Sequence, residues 1–504
     1  MTYIETAAIR IFRRLSIPAL ALVAILCIFP AVSEAAISRT LPDTPAGRLG
    51  GELIRHVDGD TPEQIRAWAS TLLSAAIDEG ARADFTKSLV AAARESGGID
   101  LVDTRPGPGP DGLVVTVKGR RNGQLAVFVL AVDPAQPDKL AQADLVAIDD
   151  PALYAAWPKS AVPRAELIRL IRSTLDRLVH ASDFSGCLAV SDGAKTIFDE
   201  CRGLAERSFG VSADRETKFH IGSMDKMFTA VAIAQLVESG KLSWDATLAE
   251  LVPEYPDREA APNITVWQLL HHTAGLGDFF VPEFFAHREK FVDPADYLDL
   301  IARQPKEGEP GKQWSYSNAG YVLLGRVVEK VSGENYFDYV RRHVFVPAGM
   351  DSSGFDSQED VVPKLAVGYF REGPFATEWK ANAMTLPFKG SPAGGGYSTN
   401  ADLLKFARAL REGRLIHDAT LAKMFEDEVP AGPGAYAAGF GDRVSHGRHI
   451  RGHAGGAPGM SADLAIVWET GAAVAITSNE GDSSTAMLFA ERIADLLAAE
   501  SAQH

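Results

Sequence analysis

The chain predicts an α+β fold in two parts, and three observations lead there. Helical patterns over residues 45–97 are followed by strand-like runs instead of alternating with them, and the later part mixes strands with helices without the regular βαβ alternation of a parallel sheet. The length, 504 residues, exceeds what one hydrophobic core usually serves. With 46% apolar and 23% charged residues, the composition is that of a folded globular protein.

The first 35 residues read as an export signal. Arg10, Arg13 and Arg14 precede an apolar run from Leu15 to Ala31, and Ser33-Glu34-Ala35 places small residues where an export peptidase cleaves. The alternative is an uncleaved anchor, since the run is close to the lower limit for spanning a bilayer. Cys27 follows the bulky Leu26, which argues against a lipidation site. An exported, periplasmic or extracellular protein is expected, by either the Sec or the twin-arginine route.

Formal charge is -16; the three arginines of the leader outweigh Glu5 and Glu34 by one, which leaves -17 for the rest. Such acidity excludes a phosphate-backbone partner, because nucleic acid needs a basic face and no stretch supplies one. An anionic membrane surface is disfavoured for the same reason. Composition leaves the oligomeric state open.

Residues 36–155 are expected to form a small α+β domain. Thr61-Pro62-Glu63-Gln64 has a capping threonine, a proline at the first helical position and a glutamine able to close a capping box. After the breaker "RPGPGPDG", strands are expected at "LVVTVKG", "LAVFVLAV" and "ADLVAID", with a turn at Asn122-Gly123. Pro151, Trp157 and Pro163 mark the boundary, and the second domain is taken as 156–504. Its first helix follows from the spacing of Leu167, Ile168, Ile171, Leu175 and Leu178. "CLAVS" and "KTIFDEC" then read as a hairpin. With loop 193–195 Cys187 and Cys201 face each other, and with 192–194 they are displaced diagonally; a disulfide and two small buried thiols both remain open. Near the end, "ADLAIVW" and "AAVAITSN" read as strands around Glu469-Thr470-Gly471, and "AMLFAERIADLLAA" as a terminal helix.

Chemistry concentrates in three stretches. In "FHIGSMDKMFTAVAIAQL", Ser223 and Lys226 lie three apart on a segment that becomes a nearly wholly apolar helix, so they share a face while Asp225 points elsewhere. Desolvation can lower a lysine toward roughly 7 to 8, where it can take the serine's proton. The bland reading is a capping serine and a snorkelling lysine. In "WSYSNAGYVLLG", Tyr316 can place a phenolic oxygen near that pair, where ammonium charge would favour phenolate and a proton-shuttle role; Asn318 can orient Lys226 or hold a substrate carbonyl. Their bland readings are a buried tyrosine and the N-cap of the next helix. In "HIRGHAGGAPGM", the glycines after His453 let backbone approach a ligand, and the amides of Gly456 and Ser223 would form an oxyanion hole. His446, His449 and His453 superficially suggest zinc, yet on one strand His446 faces away and the other two lie about 13 Å apart at roughly 3.3 Å per residue, so neither metal nor cofactor is expected. His271-His272 reads as structural, at a helix end before Gly275.

Taken together, Ser223-x-x-Lys226, Tyr316-x-Asn318 and His453-x-Gly455 resemble the motifs of the serine beta-lactamase and penicillin-binding-protein superfamily, most closely its class C beta-lactamase-like serine hydrolases. "LLHHTAGL" and "PAGGGYSTNADLLKFARAL" are similar to that family too. The resemblance covers about 163–500 and implies a beta-lactamase/transpeptidase-like fold: an antiparallel sheet of N- and C-terminal strands flanked by helices, plus a helical region bearing Tyr316. It implies Ser223 as the acylated nucleophile, Lys226 as its activator, Tyr316 as general acid/base, and Asn318, His453, Gly455 and Gly456 as positioning groups. True class C enzymes usually carry lysine where His453 stands. A largely neutral histidine resembles instead the D-aminopeptidases, DD-peptidases and esterases, so a small-molecule or peptide ester or amide is the expected substrate. The rivals are a true beta-lactamase and a catalytically silent binding protein on the same scaffold.

Overall fold

The computed structural model describes residues 38–500 except 76, 78, 108–110, 149–152, 182–183, 194, 433 and 481–482. The export-signal reading and Cys27 lie outside the described residues.

Among the described residues three helices come first: α1 (Pro45–Gly59), α2 (Pro62–Leu72) and α3 (Glu79–Glu95). Thr44 caps α1, and Thr61 with Gln64 forms the expected capping box on α2. An antiparallel sheet follows in sequential order: β1 (Ile99–Pro106), β2 (Gly112–Gly119), β3 (Leu125–Asp133) and β4 (Gln136–Ile148). Leu53, Ile65 and Leu89 of the helices pack on Val115, Val117, Phe128 and Leu130 of the sheet. Strand β1 corrects the expectation, because "RPGPGPDG" begins at its end and forms the β1–β2 connection instead of separating helices from strands. Its Asp100, Asp103 and Arg105 hide the apolar alternation that marks a strand; Asp103 instead accepts hydrogen bonds from Thr116 and Arg105 across the sheet face. Phe375, from far along the chain, is buried in this core, and its carbonyl accepts a bond from Asn122.

Helix α4 (Arg164–His180) leads into an eight-stranded antiparallel sheet. Its N-terminal strands are β5 (Gly186–Ser191) and β6 (Thr196–Arg202). Its C-terminal strands are β7 (Val429–Ala431), β8 (Gly434–Tyr436), β9 (Gly441–Ser445), β10 (Arg448–Ala457), β11 (Met460–Val467) and β12 (Ala473–Ser478). The order is β7-β8-β9-β10-β11-β12-β5-β6, so both ends of this region meet at the β12–β5 ladder. One face packs on α4 and the terminal helix α9 (Ser483–Ala499) through Leu175, Phe489 and Ile493. The other face packs on α5 (Asp225–Glu238) and α8 (Asn400–Arg411) through Phe228, Val231 and Phe406. Beyond α5 lie the short α6 (Val266–Leu270) and α7 (Asn318–Ser332).

The hairpin register places Cys187 directly opposite Cys201, and the two form a disulfide. A bulge between Val190 and Ser191 absorbs the extra loop residue. The facing register is therefore the one adopted.

Candidate active site

Ser223 sits in a single 3-10 turn, Gly222–Met224, between a short strand and α5. The turn's hydrogen bonds run from the amides of Met224 and Asp225, so the Ser223 amide is left over and can meet a ligand. Strand β10 approaches from the side. Gly222 has φ +54°, and a Cβ there would stand 2.8 Å from the Gly456 nitrogen; one on Gly455 would stand 1.8 Å from the Ile221 carbonyl oxygen. Backbone thus packs on backbone, which only glycine permits. The two-residue turn Pro458-Gly459 fixes the β10–β11 alternation, so the amides of Ala454 and Gly456 face away from β11. Strand β9 pairs with β10 only up to Gly452, leaving the Gly456 amide at an unpaired edge beside Ser223. Gly455→Ala is expected to push the turn off the strand and lower kcat for an ester about 10²- to 10³-fold, the cost of losing an oxyanion donor. Steady-state kinetics on protein with unchanged near-UV circular dichroism checks this.

Lys226 falls in the first turn of α5 and is 0% exposed. Its Nζ donates to Asn318 Oδ1 at 2.8 Å and to the Ala393 carbonyl at 2.5 Å, and lies 4.7 Å from the centre of the Tyr316 ring. Burial lowers its pKa to about 7, with Asp278 and Asp225 opposing the shift. A neutral amine has two hydrogens and one lone pair; both hydrogens are taken here, so the lone pair is what remains for a proton. Asp225 points away, as expected, accepting from the Gly396 amide at 2.6 Å. Burial raises its carboxyl to about 8, against that hydrogen bond and Lys226.

Asn318 takes the lysine-orienting role because Ser317 is the N-cap of α7, accepting from the Gly320 amide. Its amide group donates to Asp278 Oδ2 at 2.9 Å. Asp278, not foreseen from sequence, also accepts from the amides of Phe279 and Phe280, which offset part of the burial that raises its pKa. The result is a hydrogen-bonded chain from Asp278 through Asn318, both half-buried on the cavity wall, to the fully buried Lys226.

Tyr316 reaches the Ser223 hydroxyl, but the expected phenolate is overturned. Burial raises its pKa well above the ordinary phenol range; the bond with Ser223 counters only part of this, and Asp278 adds to it. The phenol is protonated at neutral pH. His453 is buried as well, and burial together with Lys226 lowers its pKa to about 3. Its Nδ1 lies 2.5 Å from the Ala454 carbonyl and so carries the hydrogen, leaving Nε2 to accept from the Tyr436 hydroxyl at 3.0 Å. Tyr436 is the second unforeseen member. His272 has φ +57°, takes the Ser317 amide on Nδ1, and its ring lies tilted against those of Tyr316 and Tyr436, with centres within 5 Å. It is 1% exposed and packs behind the two tyrosines without lining the cavity. His449 bonds Asp442 instead of approaching His453, and His446 lies in the β9–β10 turn.

These groups open on a cavity of about 640 Å³ lined by Ser223, Tyr316, Asn318, His453, Gly455 and Gly456 among others. Asp278, Phe280, Leu386 and Pro387 also contribute to its walls. Ser223, Tyr316, Asn318, His453, Gly455 and Gly456 all line it, and Lys226 stands behind them, in contact with Asn318 and the Tyr316 ring.

A serine-bearing turn, a buried amine and a strand whose end leaves one amide unpaired are thus gathered about one cavity. The chain belongs to the beta-lactamase family of serine hydrolases, whose model matches residues 171–499. It is similar to a provisionally assigned penicillin-binding protein, PbpX, of Bacillus subtilis (strain 168), with 30% identity over 52% of this chain and 64% of the relative. Esterase EstB of Burkholderia gladioli is 30% identical over 41% of this chain and 55% of its own length. The D-amino acid amidase of Ochrobactrum anthropi SV3, solved with L-phenylalanine amide, superposes with a TM-score of 0.56 at 26% identity, over 66% of this chain and 98% of the amidase. The chain thus matches less than two thirds of PbpX and EstB.

Proposed function

We propose that the protein opens an ester or amide through an acyl-enzyme at Ser223. The observation that carries this reading is the state of Lys226: buried, shifted to about 7, with both hydrogens of its neutral form occupied. It takes the Ser223 proton as the hydroxyl oxygen attacks the carbonyl carbon. The amides of Ser223 and Gly456 hold the oxyanion. Tyr316, protonated, gives its proton to the departing alcohol or amine and recovers one from Lys226, and the same groups run in reverse when water opens the acyl-enzyme.

Esterase, D-aminopeptidase or DD-peptidase-like chemistry fits better than antibiotic hydrolysis. His453 is neutral and its ring nitrogens are committed to Ala454 and Tyr436, so it offers no permanent cation to a beta-lactam carboxylate. Its similarity to an esterase and an amidase supports the same choice. Export through the N-terminal leader belongs to this reading.

Intact-mass analysis after exposure to a short-chain ester, a D-amino-acid amide and a chromogenic cephalosporin tests it. Turnover of ester or amide is expected, with the cephalosporin turned over slowly or left as a stable adduct on Ser223. Rapid cephalosporin turnover would instead mark a beta-lactamase. No adduct and no turnover with any of them would leave a silent binding scaffold.

A further inference from the structure

The cavity does not stop at the face that carries Ser223. Register divides the residues of β9, β10 and β11 between the two faces of the sheet: Asp442, Arg451, His453 and Leu464 on the α5 side, and Gly441, Gly452, Ala454, Asp463 and Ala465 on the α9 side. Both sets line the same cavity, together with Glu491 of α9. It therefore passes round the unpaired edge of β10 into a chamber between the sheet and the terminal helix. Four of its floor positions are glycine or alanine, which leaves the space open.

Two carboxylates face that space. Asp463 is 6% exposed; it takes one hydrogen bond, from the Leu464 amide, and no cation lies within ion-pair distance of it among the described residues. Glu491 has Arg443 Nε only at 4.0 Å, because Arg443 is held by Asp495 at 2.6 Å. One arginine thus pairs with two of three neighbouring acids, Asp495 closely and Glu491 at the limit, and with Asp463 not at all. Burial and the neighbouring Glu491 raise Asp463, and burial raises Glu491, with Arg443 opposing both shifts only in part. Nothing in the acyl-transfer centre uses either group.

We propose that this chamber is a specificity subsite for an organic cation, a primary ammonium or guanidinium on the substrate's acyl chain, held by Asp463 and Glu491. The chemistry follows from the donor set: two carboxylates beside an arginine suit a hydrogen-bonding cation of single charge. Reach follows from the sheet. Gly456 and Asp463 are separated by two residues along β10 and one strand across, about 8 Å at the usual spacings. A chain of six to eight carbons that bends round the edge spans this. The subsite deepens the acyl-enzyme reading and rests on it for the position of the carbonyl.

Two measurements keep the subsite and the serine apart. In the first, 4-nitrophenyl esters of 6-aminohexanoate and 8-aminooctanoate are compared at pH 8 with heptanoate and nonanoate, in which a methyl replaces the ammonium. At least one amino ester is expected to be favoured about tenfold or more in kcat/KM, the scale of a desolvated charge contact. Asp463→Asn, and separately Glu491→Gln, should remove that preference and leave acetate ester hydrolysis unchanged, since acetate cannot reach the chamber. In the second, binding of 8-aminooctanamide and nonanamide to Ser223→Ala protein is followed by calorimetry. Tighter binding of the amino amide that disappears with Asp463→Asn supports the subsite even if no ester is turned over, an outcome that would defeat the serine reading alone. Equal binding of the two amides, or a preference that survives both substitutions, overturns the subsite.

Discussion

Ser223→Ala is expected to lower ester hydrolysis by about 10⁵-fold or more and to abolish labelling by a fluorophosphonate, while the fold stays intact. The size follows from removing the one atom that forms the covalent bond: what survives is the oxyanion pair and binding, which elsewhere retain only about 10³- to 10⁴-fold over water. The turn itself does not depend on the hydroxyl. Its geometry is set by the Gly222 contact with Gly456 and by bonds from the amides of Met224 and Asp225. Circular dichroism and thermal melting should therefore match the parent protein. Labelling that persists in the variant, mapped by peptide mass, would place the nucleophile elsewhere.

Lys226→Met is expected to cost about 10³- to 10⁴-fold in the acylation rate, at the upper end of what general-base catalysis supplies. Methionine matches the length and apolar stem of the side chain in a site that is 0% exposed, so it fills the same volume. It cannot take a proton. Its loss also leaves Asn318 Oδ1 and the Ala393 carbonyl without their donor, which costs about 1–3 kcal/mol for a buried group. A modest fall in melting temperature is therefore expected beside the large fall in rate. Lys226→Arg is the informative companion, because guanidinium stays charged when buried and should be as inactive as methionine.

Much of this site was legible in the sequence because its geometry is local or its chemistry unusual. Three-residue spacing put Ser223 and Lys226 on one helical face, the apolar turns after Lys226 announced its burial, and that burial gave the direction and range of its shift. The capping box at Thr61 is local in the same sense, whereas the register of Cys187 and Cys201 stayed open, because a single loop residue decides it. What escaped depends on distant partners. Asp278 lies 40 residues from the Asn318 it orients, the Ala393 carbonyl is a backbone atom that no side-chain pattern marks, and Tyr436 arrives on a three-residue strand. The protonation of Tyr316 was misread because burial outweighs the opposing hydrogen bond with Ser223, and burial is a tertiary fact. Strand β1 was missed because its acids and arginine are satisfied across the sheet.

The central claim is that Lys226 works as a neutral amine with a pKa near 7. The neutral form is the base, so the acylation rate must rise with pH, reach half its plateau close to 7, and fall about tenfold for each unit below that. The measurement is the second-order rate of fluorophosphonate labelling at Ser223 between pH 5 and 9.5, in parent protein and in Lys226→Met. The account predicts a single rising limb centred near pH 7 in the parent and its disappearance in the variant. A profile that is flat across that range, or that keeps the same limb without Lys226, contradicts it.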